Sequence, residues 1–344
     1  MPLRRSLRAR ALGPGLGVLL LLGGCAAEEA SEPDAAVSPS DSPSVSPGSD
    51  SDGITTESEE LPEWQPIAGL ETPRDDFGTA VIGREIWALG GMTGERGNRL
   101  LSIEILDTRT GEWRTSDIEM PRGLASFEVV ADGPLVYAFG GLDATSTATA
   151  FSSVLDTRTG TWRRLDALPH ARYAHTVTAY DGLYYVIGGR DGDGPVAEVD
   201  VFDPRTEEWT TLDQPMPNAR DSHKTAATPA GLVVAGGFRD FEDSDLVDRF
   251  DPATGEWSTL PTLPEPMSRS GVVFTEGMVW IALHESAYVL DPSDPEAGWE
   301  EANPLTLSRH GMGFVVVDGV IYSIGGCALN PLRDVRTVDR LELA

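Results

Sequence analysis

The chain is poor in cysteine and almost devoid of lysine. Only Cys25 and Cys327 occur among its 344 residues, too few for a disulfide framework. Lys224 is the sole lysine, and the 26 basic residues face 55 acidic ones, for a net charge of −29. A chain so short of positive charge is excluded as a tracker of nucleic-acid phosphates, which needs a basic patch, and as a protein that docks electrostatically on anionic lipid. Zinc-type Cys/His spacing is missing. So are a Gly-rich phosphate loop before a helix and a nucleophile elbow. No cofactor or metal is therefore expected. The one long apolar run, about residues 11–24, is too short to span a bilayer comfortably.

What the chain does have is a repeat. Trp64, Trp113, Trp162, Trp209, Trp257 and Trp299 follow one another at steps of 49, 49, 47, 48 and 42 residues. Self-similarity at such a period fixes the architecture before any single motif is read. Four of the tryptophans end a turn that opens with aspartate: Asp107 to Trp113, Asp156 to Trp162, Asp203 to Trp209 and Asp251 to Trp257. An Asp side chain bonds the turn backbone, and Gly111, Gly160 and Gly255 accept a positive φ. Upstream of each hairpin an apolar run ends in a glycine pair. Examples are Ile86 to Gly91, Val136 to Gly141, Tyr184 to Gly189, Leu232 to Gly237 and Ile321 to Gly326. Short, β-branched and aromatic runs bounded by turn residues predict buried strands. In the first repeat the four strands fall near 78–83, 86–91, 101–107 and 112–116. Nothing in the repeats has an amphipathic helical period.

Four strands per period of about 50 residues predict the blades of an all-β propeller. The glycine pairs, the Asp-to-Trp spacing and the period resemble the Kelch repeat, over about residues 63–344. The ends set the expected count. Trp64 belongs to a fourth strand with no strands before it, while the C-terminus supplies three strands near 312–317, 320–326 and 335–343 and stops. This predicts a six-bladed Kelch-type propeller, its last blade completed by residues 63–68. Such pairing removes sheet edges that would promote aggregation. The fifth repeat departs from the pattern: Leu283-His284 stands where the glycine pair belongs.

The N-terminus is read as a targeting signal. Arg4, Arg5, Arg8 and Arg10 precede the apolar run, which ends Leu22-Gly23-Gly24-Cys25, the layout of a secretory signal. It resembles a bacterial lipobox, and the resemblance implies cleavage after residue 24, acylation of Cys25 and export to the outer side of the membrane. Arg4-Arg5 also loosely resembles a twin-arginine export signal. Residues 25–62, rich in Ser, Pro, Asp and Glu without Lys or Arg, have the composition of an extended tether. The expected domains are thus a signal at 1–24, a tether at 25–62 and a propeller at 63–344, with the membrane reached only through the lipid on Cys25.

An arginine stands near the start of every expected innermost strand: Arg74, Arg122, Arg172, Arg220, Arg269 and Arg309. Two readings follow. In one, each guanidinium bonds carbonyls or an acid of its own or a neighbouring blade, with Asp75, Asp76 and Asp221 as adjacent partners, because buried cations must be paired. In the other, six forks ring the channel mouth and grip a carboxylate bidentately. The Kelch resemblance supports the second, since Kelch domains that bind acidic peptides use arginines at this kind of position. His175, His223 and His310 follow these arginines on the same face. His284-Glu285, at the broken corner of the fifth blade, is the one non-repeated polar pair at a repeated position. The main expectation is a monomeric, envelope-anchored module binding a protein or glycan, anionic ones included, through this face. The alternatives are a sialic-acid-type mutarotase with His284 and Glu285 as acid and base, and an envelope assembly scaffold. Asp191-Gly192-Asp193-Gly194 and the acids at 240–245 are read as solvated hairpin tips rather than Ca²⁺ loops.

Overall fold

A computed structural model describes residues 61–343. The signal segment, Cys25 and nearly all of the tether lie outside the described residues. The described residues fold as six four-stranded antiparallel sheets, numbered here I to VI in chain order. Sheet I comprises Gly78–Ile82, Glu85–Leu89, Ser102–Asp107 and Glu112–Glu119. Sheet II runs from Glu128–Asp132 to Thr161–Arg164, sheet III from Thr176–Tyr180 to Glu208–Thr211, and sheet IV from Lys224–Thr228 to Glu256–Thr259. Sheet V runs from Gly271–Thr275 to Glu300–Glu301. Sheet VI takes Gly313–Val317, Val320–Ile324 and Val338–Glu342, with Gln65–Ile67 as its outermost strand. That strand is antiparallel to Val338–Glu342, with Gln65 opposite Arg340 and Ile67 opposite Val338.

The recurrent residues earn their spacing by binding one sheet to the next. Each of the six regularly spaced tryptophans donates its indole N–H to a backbone carbonyl at or just beyond the end of the outer strand of the preceding sheet. Trp113 reaches Ala68 at 2.8 Å, Trp162 Glu119 at 2.9 Å and Trp209 Asp166 at 3.2 Å. Trp257 reaches Gln214 at 3.5 Å, Trp299 Pro261 at 2.9 Å and Trp64 Asn303 at 3.0 Å. The last bond joins Trp64, just before the outer strand of sheet VI, to the segment after sheet V, so the series returns to its start. Each bond ties one sheet to the next while the indole ring packs at the junction, which accounts for a Trp at every step.

Two further series lie nearer the axis. The second glycine of each pair donates its N–H to the next sheet. Gly91 reaches Leu124 O, Gly141 reaches Arg172 O, Gly189 reaches Arg220 O and Gly237 reaches Met267 O. His284 reaches Arg309 O, and Gly326 returns to Arg74 O. Innermost, the N–H of Asp76 donates to Gly311 O, Gly311 to Arg269 O, Arg269 to Ser222 O, Ser222 to Ala174 O, Ala174 to Ser126 O, and Ser126 back to Asp76 O, at 2.7–3.0 Å. All six residues of this innermost series have positive φ, from 49° at Asp76 to 64° at Gly311. A left-handed backbone is unfavourable for five of them; its repetition shows that the inter-sheet bonds impose it.

The core lies between sheets. Sheets I and II share one cluster around Leu89, Ile103, Phe127 and Ala138, and sheets IV and V another around Val233, Val247, Ile281 and Leu283. Trp64 packs with Ala282, Leu305 and Leu341 at the junction of sheets V and VI. Among the described residues no helix is long and apolar enough to cross a membrane.

Candidate functional site

Of the two readings of the repeated arginines, four positions have the geometry of the first, in which each guanidinium is paired within its own sheet. Arg74, Arg172, Arg220 and Arg309 have no solvent exposure. Each is held by an acid in the third strand of its own sheet: Arg74 by Glu104 at 2.6 Å, Arg172 by Asp200 at 2.7 Å, Arg220 by Asp248 at 2.9 Å and Arg309 by Asp339 at 2.8 Å. Each fork also donates to a strand-end carbonyl. Arg74 donates to Gly90 O, Arg172 to Gly188 O, Arg220 to Gly236 O and Arg309 to Ser323 O. These forks clamp the second strand to the third. They cannot also bind a ligand in the channel mouth.

Arg122 and Arg269 are not members of the set. The buried position lies two residues before each innermost ring residue, which places Leu124 and Met267 there in sheets II and V. Where the arginine is lost its acid is lost too. Ser153 and Tyr288 hold the third-strand place that Asp200 fills in sheet III, as the cross-strand pairs Ala138–Ser153, Ile281–Tyr288 and Val186–Asp200 show. Arg122 is exposed and meets Asp143 at 3.2 Å. Arg269 is a ring residue at the channel mouth, 3.4 Å from Asp76, whose carboxylate raises its pKa. Of the expected neighbouring acids, Asp76 thus serves Arg269 and Asp221 serves Arg190 at 2.7 Å. Asp75 is buried with no hydrogen-bond partner on either carboxylate oxygen; burial, reinforced by Asp76 and Asp334, holds its pKa well above the usual carboxylate range.

His175 and His223 are buried spacers. A Cβ on Gly140 would lie 2.4 Å from His175 Cε1, and one on Gly188 2.8 Å from His223 Cε1. Phe77 and Phe127 occupy the equivalent places against Gly325 and Gly90. Burial pushes the His175 pKa down to about 3 and that of His223 well below its ordinary value. Both are neutral at pH 7 and offer no charge to an anion. Beneath them the channel holds Lys224, which pairs with Glu128 across the axis.

His284 and Glu285 do reach a cavity. They line a notch of about 390 Å³ with Glu265, Asp243 and Leu329. His284 Nε2 lies 3.2 Å from His310 Nδ1. Burial lowers both pKa values, that of His310 to about 4. An anionic sugar would meet three carboxylates here and no arginine. The site therefore lacks the cation that the mutarotase reading required.

A cleft of about 630 Å³ opens between sheets II and III on the same face. Tyr173, His170, Arg190 and the turn at Asp191–Gly194 line it. Asp191 Oδ1 accepts from the backbone N–H groups of Asp193 and Gly194 at 2.7 and 2.9 Å. That carboxylate organises its own hairpin tip. Asp75, Cys327 and Asp334 are the one group of three possible metal ligands found close together among the described residues. Two carboxylates and a sulfur fall short of the six to eight oxygens a calcium site takes.

Sheets whose paired glycines, Trp-bearing hairpins and inner ring recur in this way define a Kelch-type β-propeller. Residues 65–281 match the KLHDC2/KLHL20/DRC7 Kelch-repeats domain, and the chain belongs to that family. It is 31% identical over 162 residues to Kelch-like protein terF of Aspergillus terreus, covering 42% of this chain and 35% of that one. Kelch-like protein 15 of Danio rerio is 28% identical over 174 residues, covering 43% and 28%. Alpha-scruin of Limulus polyphemus is 35% identical over 86 residues, covering 22% and 9%. The matched segments span about a third or less of these relatives' own lengths.

Proposed function

We propose that the six sheets form one closed six-bladed propeller, completed by Gln65–Ile67, whose loop face binds a protein partner in the cleft between sheets II and III. Three hydrogen-bond series that each return to their starting sheet support the closure. Kelch repeats generally mediate protein–protein interaction, which supports the binding role. The observation that carries the choice of site is a division of labour. The four repeated arginines are fully buried inside their own sheets, whereas Tyr173, His170 and Arg190 are half-buried and line a surface cleft. A concave, largely preformed seat with a few polar groups is the usual form of a recognition site. A protein ligand is favoured over a glycan because Tyr173 is the one aromatic among the lining residues. Rigid sheets hold the site, so binding requires little ordering of the receptor.

The N-terminal sequence supports a location as well: export, cleavage before Cys25 and lipid attachment there, with the tether at 25–62 carrying the domain away from the membrane as a monomer.

The test is panning of a random dodecapeptide phage library against the full chain. Binders should lose affinity about tenfold or more when Tyr173→Ala is combined with Gly192→Trp, a bulky change at a glycine with open space around it. Arg109→Ala with Arg158→Ala, both exposed in the Asp-to-Trp hairpins of the opposite face, should leave affinity unchanged. Binders indifferent to the cleft variant would contradict the assignment.

A further inference from the structure

Sheet V departs from the other sheets at linked positions. It has neither the buried arginine nor its acid, and its glycine pair is replaced by Leu283-His284. Its second and third strands, Met278–Leu283 and Ser286–Leu290, are joined by a tight turn. The sheets on either side keep longer excursions at this place: a hairpin of Phe238–Arg239 with Glu242–Asp243 in sheet IV, and one of Cys327–Leu329 with Leu332–Asp334 in sheet VI. The missing excursion leaves the notch between them, with Met267 and Leu283 as an apolar floor.

Its charge is one-sided. Asp243, Glu265 and Glu285 line it, and no arginine or lysine does. None of the three acids is in an ion pair. Glu265 accepts one hydrogen bond, from Tyr288 Oη at 3.2 Å. Several other acids on this face are matched, among them Asp76 with Arg269, Asp143 with Arg122 and Asp221 with Arg190. The notch also has an apolar rim. Phe241 and Leu329 are 77% and 41% exposed, two of the four large hydrophobic residues exposed among the described residues. Leu329 lines the notch, and Phe241 sits at the tip of the hairpin that carries Asp243.

We propose that this notch is a second seat, for an extended protein segment that presents an arginine or lysine beside an apolar side chain. The cation would be matched by the unpaired acids, and the apolar side chain would cover Leu329 and the Leu283 floor. Unpaired like charges around an apolar pocket favour a partner of opposite sign, through both encounter rate and specificity. The inference rests on the loop face being a protein-binding surface, but it concerns a different cleft and a defined ligand charge.

Fluorescence anisotropy on the full chain tests it with two labelled octapeptides: Gly-Ser-Lys-Leu-Arg-Leu-Ser-Gly, and the same peptide with Glu replacing Lys and Arg. The cationic probe should bind saturably and the acidic one should not. Asp243→Asn, Glu265→Gln and Glu285→Gln combined should weaken the cationic probe about tenfold or more, since three modest ion pairs sum to that factor. Leu329→Asn, a neutral change at an exposed position, should produce a loss of its own. Glu112→Gln, Glu208→Gln and Glu256→Gln combined neutralise the same charge on the opposite hairpins and should leave affinity within about twofold. Tyr173→Ala with Gly192→Trp should also leave it unchanged, which separates this seat from the cleft between sheets II and III. No saturable binding, or equal weakening by the opposite-hairpin variant, overturns the proposal.

Discussion

Arg172→Ala should lower stability by about 3–5 kcal/mol, the usual result of removing one partner of a buried ion pair. Asp200 would remain, with no solvent exposure. It would keep its bonds from His170 and from Thr211 Oγ1 at 2.5 Å but lose its guanidinium. The Gly188 and Glu198 carbonyls would lose a donor as well. For a domain of this size the melting temperature should fall by roughly 10 °C. Arg122→Ala, at an exposed pair, should change stability by less than about 1 kcal/mol. The protein carries its own design for a rescue. Sheet II holds Leu124 and Ser153 at the two equivalent places, both buried, with Ser153 Oγ donating to Arg163 O at 2.7 Å. Arg172→Leu with Asp200→Ser should therefore recover much of the loss, because a buried pair replaced as a unit leaves no orphan charge. Thermal and urea melts of the single and double variants measure this cycle. A double variant no more stable than Arg172→Ala would show that the arginine acts other than through its acid.

Deletion of residues 63–68 should have a larger and different effect. It removes the outer strand of sheet VI and exposes the edge of Val338–Glu342. It withdraws Trp64 from the junction with sheet V and takes away Ala68, the acceptor of the Trp113 indole in sheet I. One short segment thus holds contacts on both sides. Without it, unfolding should broaden and differ between fluorescence and circular dichroism, the sign of lost two-state behaviour. The bared strand edge should promote aggregation. A single sharp transition at an unchanged temperature would contradict the closure proposed here.

Much of this was legible in the sequence because inter-sheet bonding repeats. The indole donors, the glycine pairs and the Asp turns recur since each junction poses the same hydrogen-bonding requirement. Strand positions followed directly: the expected 78–83 and 86–91 are Gly78–Ile82 and Glu85–Leu89. The arginines were legible as a set but misplaced at two members. Connections of varying length let Arg122 and Arg269 fall near the right spacing while Leu124 and Met267 hold the buried position. A signal for the structural role was present in the third strands, where Glu104, Asp200, Asp248 and Asp339 each follow a buried β-branched residue. A carboxylate in a fully buried strand demands a cation, and the arginines are the cations in range. His175 and His223 looked like ligands because the sequence does not reveal that Phe77 and Phe127 do the same packing. The notch at His284 was legible only as a broken glycine corner. Its walls come from hairpins of the two adjacent sheets, whose relative placement no local pattern encodes.

Hydrogen exchange by mass spectrometry on the intact chain tests the central claim most directly, through a peptide covering residues 61–70. If Gln65–Ile67 completes sheet VI, the amides that pair with Val338–Glu342 should exchange as slowly as those of Gly78–Ile82, opening only with global unfolding. Exchange of that peptide at free-chain rates, with the other sheets still protected, would contradict it.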